Sequence, residues 1–408
     1  MIRATLVLAA LLCPIASAQP IPPDITVAAD GSGQFTSVHA AVQSIPKDNR
    51  ERTVILIKDG VYNEKVRVDA ACVTLRGQSR DRTRIEFSQA REDFDRKRDE
   101  IGEAVVNIRG DDCVIENLTI KNTHGVVGPH AFAILGRGDR TVIVDCDVLS
   151  EGADTVALWK GDTGRYYHAR CHFRGAVDFV CPRGWCYVAD SSFFETKATA
   201  ALWHDGSKNK DQKFVLRNCK FDGVDGWNLA RHHHDAAFYL LDCTFAKSMI
   251  DRPPYRVVYP ISGEPTTQGH VDRNKELDKT NRWGERAYFF NCHRDGGDDF
   301  KWHADNLATA EGSPKPQAIN AKWTFAGTWD PQNTAPPTMT RSERRGDEFV
   351  VTFAEPVTVK GDRAGYLSGS GTDTVVFRAP LSETTHVIAS QASATIRIGE
   401  KFSIPRGD

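Results

Sequence analysis

The chain has 408 residues, of which 40% are hydrophobic and 26% charged, with 32 glycines. That length is enough for one large core and a smaller appended unit. The formal net charge is -2 and no long run of one sign occurs, which argues against nucleic-acid binding through a basic footprint.

Arg3 precedes an apolar run from Ala4 to Ala16, and Ala16-Ser17-Ala18 closes it before Gln19. A charged start, a short apolar centre and a small-x-small site predict a cleaved signal peptide over residues 1–18. The run is too short to span a bilayer. The protein is therefore expected to be secreted or periplasmic, with no membrane span. A lipoprotein anchor at Cys13 is disfavoured by the bulky Leu12 before it.

Next along the chain, Phe35 to Ile45 (FTSVHAAVQSI) has apolar residues at helical spacing after the turn Asp30-Gly31-Ser32-Gly33. It predicts a short helix that caps the open end of a repeat array. Thr53 to Ile57 and Val73 to Arg76 read as first strands.

A repeated phrase follows. It reads Asp145-Cys146-Asp147-Val148, Arg170-Cys171-His172-Phe173, Asn218-Cys219-Lys220-Phe221, Asp242-Cys243-Thr244-Phe245 and Asn291-Cys292-His293. Leu118 and Ser191 take the cysteine slot in Asn117-Leu118-Thr119-Ile120 and Asp190-Ser191-Ser192-Phe193. The steps between cysteines are 25, 48, 24 and 49 residues, one or two multiples of a single period. A period in the twenties with a short β phrase per unit predicts a solenoid, here an all-β right-handed parallel β-helix. Its cysteines would form an internal ladder of reduced thiols. A disulfide scaffold is the competing reading, but such scaffolds belong to much smaller domains. Cys181 and Cys186, close together in a loop, are the pair most suited to a bridge.

The pattern fades near Trp329, and Asn333-Thr334-Ala335-Pro336-Pro337 reads as a linker. Glu348 to Phe353, Pro356 to Val359, Thr374 to Phe377 and Ala394 to Ile398 are short alternating strands. They predict a small C-terminal β-sandwich-like domain over 338–408, either a plain structural appendage or a carbohydrate-adhering module.

Two aspartates fall in adjacent units, Asp154 in Gly152-Ala153-Asp154-Thr155 and Asp178 in Gly175-Ala176-Val177-Asp178-Phe179. They are 24 residues apart, one period, so the solenoid would stack them on one face. Neighbouring rungs are spaced about 4.8 Å. Two carboxylates that close do not both ionise readily, which suits one acid and one base or nucleophile. Arg231, in Asn228-Leu229-Ala230-Arg231-His232, lies about two periods further on and would hold Asp178 ionised as a nucleophile, leaving Asp154 to donate a proton. A stack of structural ion pairs is the alternative reading of the same spacing.

At these residues the chain resembles the pectin methylesterases, carbohydrate esterases with a right-handed parallel β-helix. The resemblance runs over residues 24–332. It includes Asp30 to Phe35, Gly60-Val61-Tyr62-Asn63-Glu64, Cys113 to Asn122, His130 to Ile134, the three segments around Asp154, Asp178 and Arg231, and Trp329-Asp330-Pro331. It implies that Asp178 attacks a methyl ester of galacturonate, that Asp154 protonates the departing methanol and then activates water, and that Arg231 hydrogen-bonds Asp178. It requires no metal or organic cofactor. The expected partner is pectin or a related acidic polysaccharide, met by a monomer.

The chain departs from that family where glutamines are expected before Asp154 and at the start of the His130 segment; Ala153 and His130 stand there. Both glutamines help hold a tetrahedral oxyanion, and loss of one such donor typically costs about a hundred- to a thousandfold in turnover. A tryptophan is expected where His233 stands. Trp203, Tyr166, His204 and Trp185 are expected to line the cleft for sugar stacking, and His130 or His233 to contact substrate. The run His232-His233-His234-Asp235 is a poor metal site, because consecutive residues of a strand alternate faces. Two other readings remain: a catalytically impaired β-helix that only binds polysaccharide, and an esterase for a different acyl ester.

Overall fold

A computed structural model describes residues 22–205, 209–261, 263–333, 337–360 and 365–378, and the backbone of 387–390. The expected signal peptide and the strand expected at Ala394 to Ile398 lie outside the described residues. No helix among the described residues is long and apolar enough to cross a membrane.

Three parallel sheets of ten, eight and nine strands run the length of the main body. Each rung gives one short strand to each sheet in turn. One rung is Thr141–Val144, Asp147–Leu149 and Val156–Leu158; the next is Arg165–Ala169, His172–Gly175 and Val180–Pro182. Each coil returns to the same sheet as a parallel neighbour, the connection that is right-handed in nearly all proteins. The result is the expected right-handed parallel β-helix.

The repeated phrase has a local cause. Asn117, Asp145, Asp190, Asn218, Asp242 and Asn291 all have φ between 50° and 57°. Asn and Asp enter this left-handed region more easily than other side chains, so they turn the chain between two sheets. The following residue then points inward. Cys146 Sγ donates to the Val144 carbonyl at 3.1 Å, Cys171 Sγ to that of Ala169 at 3.3 Å, and Cys243 Sγ to that of Leu241 at 3.3 Å. Ser191, in the same slot, donates to the Ala189 carbonyl at 2.7 Å. The cysteines from Cys72 to Cys292 are all buried free thiols. The bridge considered between Cys181 and Cys186 does not form: Cys186 belongs to the interior and Cys181 to a cluster on the outer face of the eight-stranded sheet.

Phe173, Phe193, Phe221 and Phe245 continue the interior as a ring column, with successive centroids 5.3, 4.4 and 5.7 Å apart. The end is covered by the helix Val38–Gln43, shorter than the predicted span, which buries Val38, Ala41 and Val42. Glu64 secures its first turn, accepting from Ser37 Oγ at 2.6 Å and from the Val38 and His39 amides at 2.7 and 3.1 Å. Thus the Glu of the Gly60 to Glu64 motif is a helix anchor.

The C-terminal strands Met339–Arg345, Glu348–Lys360, Tyr366–Ser368, Thr372–Arg378 and Val387–Ser390 form one antiparallel sheet among the described residues, separate from the three sheets of the β-helix. A single strand, Glu348–Lys360, spans the two strands expected there. Lys360 Nζ meets both Asp24 carboxylate oxygens at 2.8 and 2.9 Å, joining this sheet to the first rung.

Candidate active site

The site lies on the outer face of the eight-stranded sheet. Along that sheet Ile134, Val156, Val180, Leu202 and Ala230 face the interior, so alternation sends Leu135, Ala157, Cys181, Trp203 and Arg231 outward. Register pairs Ala157 with Cys181 and Trp203 with Arg231. Asp154 and Asp178 precede their strands by the same two residues, and the Asp154 amide donates to the Val177 carbonyl at 3.1 Å. One period in sequence is therefore one rung in space.

Simple strand alternation does not account for Asp178, however. Asp178 stands on a turn, with Val177 at φ 46° and Asp178 at φ 57°, and Asp154 is left-handed too at φ 56°. Phe179 is wholly buried, whereas Val177 is only half-buried and outside the interior cluster. Gly175 begins this turn because a Cβ there would come within 2.1 Å of Thr155 Oγ1 and 2.5 Å of Phe179 Cβ.

Arg231 holds Asp178 with both arms of its guanidinium. Nε donates to Oδ1 at 2.9 Å and Nη2 to Oδ2 at 2.7 Å. Burial raises the Asp178 carboxyl to about 6, with the Arg231 bonds and charge opposing it. Burial, then the charge of Asp178, raises Asp154 to about 8. At neutral pH Asp154 thus keeps its proton while Asp178 is ionised, which equips the pair for acid and nucleophile chemistry.

His130 is half exposed, and its Nε2 lies 3.5 Å from Asp154 Oδ2, beyond hydrogen-bond contact. Burial and the nearby Arg91 lower its pKa, so the ring is neutral at pH 7. Ala153, bridged to His130 in the adjoining rung, is buried and brings no side-chain donor. His233 sets its edge against Trp203, with ring centroids 4.2 Å apart, and its Nε2 meets the Tyr259 hydroxyl at 2.7 Å. Its neighbours turn elsewhere: His232 Nδ1 to the His234 carbonyl, His234 Nδ1 to Thr280 Oγ1.

A cleft of about 310 Å³ brings together Asp154, Asp178, Arg231, His130, His233 and Trp203. Tyr166 is not in it. That ring is fully buried inside the β-helix, its hydroxyl accepting from the Lys160 amide and donating to the Arg183 carbonyl. His204 is likewise interior, between Phe214 and Phe238, and Trp185 lies on another sheet beneath Lys213. The sequence reading missed Arg91, Trp159, Cys181, Arg183, Tyr259 and Arg273. Cys181 was within reach of it, being one period from outward-facing Ala157. Arg183 lies over the Trp159 ring at 4.4 Å and Arg273 over Tyr259 at 3.8 Å. These cations on aromatic faces give the cleft a basic wall suited to acidic sugars.

The pectinesterase family model matches residues 24–240. A pectinesterase of Petunia integrifolia is 30% identical over 206 residues, 48% of this chain and 53% of that protein. Pectinesterase 2 of Arabidopsis thaliana is 30% identical over 214 residues, 50% of this chain and 35% of its own length. The chain thus spans about a third to a half of the curated relatives it matches. Pectin methylesterase from carrot superposes with a TM-score of 0.58 at 18% identity, over 76% of this chain and 95% of that one. PemA from Erwinia chrysanthemi does so at 0.58 and 17% identity, over 76% and 99%. These neighbours share the β-helix fold. With more than half of its length matched by the family model, the chain belongs to the pectinesterase family.

Proposed function

We propose that this protein hydrolyses methyl esters of pectin, releasing methanol and a free uronate, outside the cytoplasm and as a monomer. The observation that carries this is the ionised Asp178 in the grip of Arg231, one rung from the protonated Asp154, on the floor of a basic, aromatic-walled cleft. A pectin methylesterase of the same fold is known in complex with a hexasaccharide.

In the reaction, an Asp178 carboxylate oxygen adds to the ester carbonyl carbon. The bond from that carbon to the methoxy oxygen breaks, and the Asp154 proton passes to the leaving oxygen to give methanol. Asp154, now ionised, takes a proton from water. The remaining hydroxide adds to the acyl carbon, releasing the uronic acid and restoring the Asp178 carboxylate. Arg231 keeps Asp178 ionised and aimed. Ala153 offers the oxyanion no side-chain donor, so the His130 ring, open to the cleft beside Asp154, takes that task.

Ala153 is also the best support for a polysaccharide-binding protein with impaired chemistry. Incubation with highly methylated pectin separates the two. Methanol release by the native protein, abolished in Asp178→Ala, is expected; retention on pectin without release would establish the binding protein instead, and release that survives Asp178→Ala would overturn the nucleophile.

A further inference from the structure

The turns that carry Asp154 and Asp178 are braced from inside the corner of the β-helix by polar side chains. Along the nine-stranded sheet, register sets Gly175 beside Glu195 and Glu195 beside Gly223; Ser150 and Asn122 continue the column. Asn122 donates to the Phe132 carbonyl at 3.0 Å. Ser150 donates to the Ala131 carbonyl at 2.8 Å and accepts the Gly152 amide at 2.9 Å, bracing the turn that leads to Asp154.

The next turn cannot be braced in this way, because its own corner residue is Gly175, where no side chain fits. The brace comes from the following rung. Glu195 is fully buried, and its Oε1 accepts the Val177 amide at 3.3 Å and the Lys197 amide at 2.9 Å. The flanking amides of the turn bond to backbone instead, Ala176 to the Gly152 carbonyl at 2.9 Å and Asp178 to that of Ala200 at 2.7 Å. Val177 is a β-branched residue at φ 46°, a conformation that persists only where its surroundings enforce it.

We propose that Glu195 is a positioning residue for Asp178, holding the strained Val177 amide so that the Asp178 carboxylate faces Asp154 and Arg231. This rests on Asp178 being the nucleophile. Glu195 acts as a neutral acid: burial pushes its carboxyl up to about 9, and a carboxylate there would repel Asp178. Its Oε2 has no hydrogen-bond partner among the described residues, so its bonding goes to this turn and to its own strand end.

The test compares Glu195→Gln and Glu195→Ala in the full chain, using methanol release from methylated pectin and hydrogen exchange at the Val177 amide. A misplaced reacting group can cost about a hundredfold. Glu195→Ala is expected to lower kcat by about ten- to a hundredfold with KM changed less than about threefold, and to speed Val177 exchange. Glu195→Gln, whose carbonyl accepts the same amides, is expected to restore both. Folded Glu195→Ala with native kcat, or with native Val177 exchange, overturns the proposal; so does Glu195→Gln as weak as Glu195→Ala. If the native protein releases no methanol, the pectin reading fails, and the exchange comparison still decides whether Glu195 holds the turn.

Discussion

Asp154 and Asp178 stand one rung apart and carry a single negative charge between them at neutral pH, because Arg231 bonds one carboxylate and not the other. Burial raises both. In the proposed reaction Asp178 must lose its proton to attack, and Asp154 must keep its proton to give it up. Activity should therefore rise as pH passes about 6 and fall as it passes about 8, a bell in kcat/KM for methyl ester hydrolysis. The two limbs belong to the coupled pair. A profile still rising at pH 9 would contradict the assigned acid.

Arg231→Lys tests the two-armed contact. A lysine keeps the charge but cannot hold both carboxylate oxygens in the same plane. Since the Arg231 bonds oppose the upward effect of burial on Asp178, weakening them should move the acid limb to higher pH and reduce kcat by at least about tenfold. Arg231→Ala should be more severe. Matching acid limbs in Arg231→Lys and the native protein would show that Arg231 does not set the ionisation of Asp178.

Keeping Asp154 protonated has a stability consequence. Its folded pKa, about 8, exceeds that of an unfolded aspartate, about 3.9. Between those values the unfolded chain has released the proton and the native chain has not, so unfolding becomes easier as pH rises. Asp154→Asn removes that slope. Its melting temperature should exceed the native one, with a gap that widens from pH 4 to pH 8, worth at most a few kcal/mol. Parallel melting curves across this range would show that Asp154 is not held as an acid.

The thiol ladder makes a separate prediction. Each of the nine cysteines from Cys72 to Cys292 is buried and unpaired, and burial lifts Cys146, Cys171 and Cys243 out of the thiolate range. A thiol reagent should find none of the eight outside the cleft in the native protein, and all nine after denaturation. Ser191 already fills one rung of the slot and donates to the carbonyl two residues before it. Cys171→Ser should accordingly cost no more than about 1 kcal/mol in denaturant unfolding. A large loss would mean that the slot selects for thiol packing rather than for a small donor.

The Asx-Cys phrases made the β-helix legible because one requirement recurs in each rung: a residue tolerant of left-handed backbone, then a small inward side chain. The 24-residue interval between Asp154 and Asp178 was legible for the same reason, since a regular coil converts a period into a stack. Tyr166 and His204 were misplaced because a count of alternating positions does not say whether an aromatic ring looks into the coil or out of it. Tyr259 and Arg273 carried no signal at all. They arrive on an excursion between rungs that includes the helix Gln268–Asp278, and no repeat relates them to the sheet they face.

By itself, then, the sequence determined the coil, its period and the alignment of two carboxylates, all of them consequences of local backbone preference repeated along the chain. Only the tertiary structure decided which carboxylate is ionised. That depends on a guanidinium reaching back 53 residues to Asp178, and on the charge of Asp178 acting on an equally buried Asp154 in the neighbouring turn. Such desolvation and charge pairing are properties of groups gathered in space, and no interval along the chain encodes their strength.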